Sequence, residues 1–144
     1  MKYVLLLLLA ACGVEVDVEP VVGYESWGAP IIVTGKAPGH ADSYRAIYMN
    51  DLARDGTQSF VLGYQEGSII VKEIRDNNDG QPGDLRYIAV MRRIGTISKS
   101  FENKGGWLYT MASDASATEK EFDFCWSRCH VAAPYNGAWY DYRE

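Results

Sequence analysis

The sequence predicts an α+β protein: mainly antiparallel β-sheet with a few helices, one of them near the carboxyl end. Three observations carry that expectation. Runs of alternating, β-branched residues recur through the middle of the chain between short polar turns, the clearest being Ser68-Ile69-Ile70-Val71-Lys72-Glu73-Ile74-Arg75. Phe122, Cys125, Trp126 and Cys129 stand at i, i+3, i+4 and i+7, the spacing of one helical face. With 144 residues, 47% of them hydrophobic, the chain is sized for one domain with a real core.

The elements follow in order. Lys2 precedes an apolar run from Val4 to Leu9, far short of the roughly 20 residues that cross a bilayer. The run fits the hydrophobic region of an export signal. It ends Leu9-Ala10-Ala11-Cys12, which resembles the bacterial lipobox. Residues 1–11 are then a lipoprotein signal peptide, and Cys12 becomes the lipidated amino terminus. That places the domain outside the cytoplasm, periplasmic and membrane-anchored by acyl chains. The alternative is an ordinary export signal with a chance cysteine. Residues 12–38, with Pro20, Pro30 and Pro38, are expected to be a tether carrying one short strand near Ile31 to Val33. Residues 39–144 form the folded domain.

Within it, Tyr44 to Asn50 fits helix or strand equally. Asp51 to Gly63 is expected to be helical. Glu66-Gly67 is a turn, and Ser68 to Arg75 is a strand. Asp76 to Gly83 is a polar loop; it resembles a calcium loop but lacks the required glutamate. Leu85 to Ile94 and Trp107 to Ala112 are further strands. Ser116 and Glu119 make a capping box for a last helix, which Pro134 ends. On that helix Glu119 and Glu121 are expected on a solvated acidic face.

Fourteen basic against nineteen acidic residues give a net charge of −5, which excludes nucleic acid as a partner because phosphates demand a basic face. Ten tyrosines and four tryptophans suit either an aromatic pocket or an ordinary aromatic core.

The chemistry concentrates in Cys125-Trp126-Ser127-Arg128-Cys129-His130. Two cysteines followed at once by histidine are what covalent haem attachment needs: each sulfur adds to a vinyl group and the imidazole ligates iron. The spacing is unusual, with three residues between the cysteines instead of two. On a helix the i, i+4 pair is still about 6 Å apart between Cβ atoms, so a local distortion at the helix end would accommodate it. The alternative is a structural Cys125–Cys129 disulfide, which is poorly aimed on one helical face. An exported compartment permits both outcomes.

Lys72 shares its strand face with Ile70 and Ile74. It either points into an apolar site, where desolvation frees a nucleophilic amine, or snorkels to solvent from an edge strand. His40 is expected to be an exposed loop residue. Met49, Met91 and Met111 offer sixth ligands, but their strand spacing fits core positions.

These segments resemble the cytochrome P-460 family. The matching stretches are Tyr44-Arg45-Ala46-Ile47-Tyr48-Met49-Asn50-Asp51, Glu66-Gly67-Ser68-Ile69-Ile70-Val71-Lys72-Glu73, Ala89-Val90-Met91, Gly106-Trp107 and the cysteine–cysteine–histidine segment, in the family's order. The resemblance implies a small, sheet-rich, often homodimeric c-type haem protein with a C-terminal haem-attachment helix. It implies haem c on Cys125 and Cys129, iron on His130, a bond from Lys72 to the macrocycle, and Arg45 beside the open face. It implies oxidation of hydroxylamine, nitric oxide as ligand or intermediate, and electrons leaving to an exported acceptor such as a c-type cytochrome. The related cytochromes c′-beta share the fold and bind gases without the lysine bond. Two further alternatives are a non-catalytic gas-binding or electron-transfer haem protein and a haem-free lipoprotein.

Overall fold

One antiparallel sheet organises the chain, and its two faces have different coverings. The computed structural model describes residues 13–55, 64–95, 104–135 and 137–143. The expected signal peptide and Cys12 lie outside the described residues, as does residue 56 onward of the expected helix to Gly63. The strands are β1 (Val14–Glu15), β2 (Ile31–Ala37), β3 (Ala41–Met49), β4 (Ile69–Asn78), β5 (Gln81–Arg93), β6 (Trp107–Ala112) and β7 (Lys120–Glu121). They form a seven-stranded sheet in the order β1-β7-β6-β5-β4-β3-β2.

The central strands form because β-branched and aromatic residues alternate onto two apolar faces. One face buries Ile47, Met49, Ile70, Met91, Trp107 and Tyr109. The other buries Val71, Ile88 and Val90 against Val21 and Tyr24. Hairpins join neighbours. Asp79 and Gly80 turn β4 into β5 with φ values of 52° and 86°, the left-handed pair that a two-residue hairpin needs. The expected polar loop from Asp76 to Gly83 is therefore mostly strand.

The α+β expectation is corrected. Among the described residues the α-helix is Asp51–Arg54, one turn capped by the Asn50 side chain on Ala53 N–H. The long last helix is absent. Lys120 and Glu121, expected inside it, pair with β6 and β1. The Ser116 hydroxyl donates to Asp114 rather than capping a helix. Glu119 is 3% exposed and bonds buried Arg92 and the Thr110 hydroxyl on the sheet. Its desolvated carboxylate needs those partners more than a helix needs a cap. The polypeptide turns helical only after Phe122.

The stretch expected as a tether is also part of the fold. Val14 and Glu15 extend the sheet edge, and β2 runs seven residues on the other edge. Between them Tyr24, in a 3-10 turn from Tyr24 to Trp27, donates a 2.6 Å hydrogen bond to the carboxylate of buried Glu73.

Candidate functional site

Strand register assembles the site on the face that carries Trp107 and Tyr109. Directly paired residues share a face, so the pairings write three adjacent rows. Arg45, Ile74 and Tyr87 form one, and Ile47, Lys72, Ala89 and Met111 the next. Met49, Ile70, Met91 and Tyr109 form the third. Lys72 thus sits inside the sheet, with four strands on one side of β4 and two on the other, and not on an edge. Met49 and Met91 belong to the packed core.

The C-terminal segment lies over these rows, with Cys125 and Trp126 packed against the core. Cys125–Cys129 is a π-helical turn. The His130 N–H reaches back to both Cys125 O and Trp126 O. A π turn accommodates one residue more than an α turn. The extra residue between the cysteines is absorbed there, in place of the continuous helical face expected from Phe122 onward. Cys129 leaves helical geometry at φ −131°, and a 3-10 turn, His130–Ala132, follows. Both cysteines are free and half-buried, so the disulfide alternative is not what the structure contains.

The His130 ring is held by a backbone carbonyl. Its Nδ1 lies 2.7 Å from Gly137 O. A carbonyl only accepts, so Nδ1 carries the proton and Nε2 keeps a free lone pair. Burial, with Lys72 nearby, holds the imidazole down to about 4, so it is neutral at neutral pH. Tyr109 packs against the ring, tilted by 40° with 4.6 Å between centroids, and donates to the same Gly137 carbonyl at 3.0 Å.

Lys72 faces this segment. Burial, then the charge of Arg45, pushes its ammonium down to about 8, while Cys125 and Cys129 raise it. Arg45 is 5% exposed, and its Nη1 donates to Gly35 O at 2.9 Å and Ser43 Oγ at 3.0 Å. The Cys125 thiol is pushed up to about 11 by burial and by Cys129. Among the described residues, no carboxylate contributes to the shifts of Lys72, His40 or His130. A buried Arg45 beside a half-buried Lys72 suits an anionic or strongly polar guest.

Sequence reasoning missed His40, Tyr87 and Gly137. His40, expected to be exposed, is half-buried, with Nδ1 3.0 Å from the Tyr87 hydroxyl and Nε2 3.4 Å from Lys72 Nζ. Alternation along β5 puts Tyr87 on the Ala89 face, a signal that was available. Glu121, like Glu119, is engaged elsewhere, paired with Lys104.

Two free thiols on one turn, an imidazole with Nε2 bare, and paired cations on the facing strands fit a covalently held haem with an anionic edge. Among the described residues no three His, Cys, Asp or Glu side chains converge on a bare ion site. A family model described as Cytochrome P460 matches residues 21–139. No curated protein matches the chain.

Proposed function

This chain belongs to the cytochrome P460 family, whose cofactor is haem, and from that premise we propose that it is an exported c-type haem protein that oxidises hydroxylamine and handles nitric oxide. Cys125 and Cys129 supply the thioethers, His130 Nε2 ligates iron, and Lys72 bonds the macrocycle. The observation that carries the reading is that Arg45 and Lys72 stand in adjacent rows of the sheet face over which the Cys125–Cys129 turn packs, with His130 directly after it.

When bound, the haem supplies an iron that takes electrons from a nitrogenous substrate. The protein's residues do the rest. Gly137 O and Tyr109 hold the His130 ring in the ligating tautomer. Arg45, always charged, orients a polar ligand through guanidinium N–H groups beyond the two bonds its Nη1 makes. Lys72, a half-buried amine whose pKa burial and Arg45 push down, is matched to bond formation at carbon. We also infer a lipid anchor at Cys12, a periplasmic location, an exported electron acceptor such as a c-type cytochrome, and a homodimer.

One observation favours a second reading, gas binding without turnover. Among the described residues no carboxylate shifts Lys72, His40 or His130, and such a group would accept substrate protons. Hydroxylamine added with an artificial electron acceptor separates the two: turnover is expected, and its absence beside nitric oxide binding would leave the gas-binding reading. Lys72→Ala is expected to keep haem on the cysteines but shift its optical spectrum. A spectrum identical to wild type would rule out the lysine bond.

A further inference from the structure

We propose that His40 and Tyr87 are positioning residues for Lys72, holding its amine at a fixed point on the haem-facing side of the sheet. The inference rests on the reading that Lys72 bonds the macrocycle. The three side chains come from separate places in the chain, the β2–β3 turn, β4 and β5, yet they form one hydrogen-bonded line. Tyr87 Oη lies 3.0 Å from His40 Nδ1, and His40 Nε2 lies 3.4 Å from Lys72 Nζ.

The order of donors follows from chemistry. A lysine ammonium has hydrogens and no acceptor, so Nε2 must accept from it. A neutral imidazole then carries its proton on Nδ1 and donates it to the Tyr87 oxygen. Tyr87 therefore selects the tautomer that can receive Lys72. The turn that delivers His40 is built for aim. Pro38, Gly39 and His40 connect the strands, Gly39 is left-handed at φ 77°, and Ala41 sits at φ 53°, where a residue with a Cβ is strained. His40 N–H closes the turn on Ala37 O at 3.1 Å. The site has a use for such a restraint, because the lysine stem is long and flexible and Arg45 repels its charged end.

The bond replaces one Nζ–H and one macrocycle C–H by C–N. Two protons and two electrons leave together, and hydrogen peroxide, as the two-electron oxidant, receives them and becomes two waters. His40 and Tyr87 take no part in that balance; they fix where Nζ waits.

The test uses protein matured in a haem-attaching host: wild type, His40→Leu, His40→Gln and Tyr87→Phe. After denaturation and digestion, mass spectrometry reads the fraction of haem-bearing peptide that also carries the Lys72 peptide. Haem retained through the cysteines reports folding and maturation separately. His40→Leu is expected to lower the linked fraction about ten-fold at equal thioether haem, within the roughly hundred-fold rate loss that a misplaced reactant can suffer. His40→Gln, whose amide oxygen can still accept from Nζ, is expected to recover most of it, and Tyr87→Phe to fall between. Equal linkage in His40→Leu and wild type would overturn the proposal while leaving the lysine bond intact. An unlinked wild type would overturn both. If His40→Leu fails to mature, undiminished linkage in Tyr87→Phe would overturn the proposal instead.

Discussion

Gly137 shows how much a single residue without a side chain can govern. Its φ is +90°, and a Cβ there would collide with the Tyr109 hydroxyl and sit 2.9 Å from Trp107 Cδ1. Its carbonyl receives both Tyr109 and His130. Gly137→Ala is expected to cost about 1–3 kcal/mol in thermal or urea unfolding, from overpacking and left-handed strain together. It should also disturb the His130 tautomer, visible as a changed axial-ligand spectrum. A variant with wild-type stability and spectrum would show that the carbonyl does not set the imidazole. At this scale the sequence was legible where chemistry is written in side chains. Cys125, Cys129, His130, Lys72 and Arg45 could be named from residue type and order. Gly137 acts through a backbone oxygen, and His40 is hydrogen-bonded to a tyrosine 47 positions away. Neither fact has a local signature.

Elements were legible where periodicity had no competitor. β6 matches its expected bounds, and β4 and β5 were recognised but drawn short at the hairpin, because polar residues at the tip read as loop. The terminal helix failed for a specific reason. Ser116 and Glu119 have capping-box spacing, yet Glu119 serves the tertiary structure, its carboxylate meeting Arg92 and Thr110. Arg92 also donates at 2.8 Å to Glu19 O, so this buried pair ties the segment after β1 to the sheet. Glu119→Ala leaves a buried guanidinium uncompensated and is expected to cost about 3–5 kcal/mol. Joint replacement by Glu119→Met and Arg92→Leu should recover much of that, because it removes both charges. Urea midpoints of the three proteins check it, and a small loss in Glu119→Ala would mean that the pair is solvated in solution.

For the whole molecule, the sheet divides labour between its faces. One face is closed by the amino-terminal segment through Val21, Tyr24 and the Tyr24–Glu73 bond. The other carries the rows of Arg45, Lys72 and Tyr109 beneath the cysteine turn. Length and composition bounded this to one domain, but the allotment of faces depends on register, which no local pattern states. That is why the early segment was read as tether and the fold as α+β. The most direct test of the account is the mass of the fragment spanning Cys125 to His130, taken from matured protein after full denaturation. The expected fragment carries one tetrapyrrole, stains for haem on a denaturing gel, and loses both properties when Cys125 and Cys129 are changed together to serine. A colourless protein whose fragment has the bare peptide mass would contradict the account.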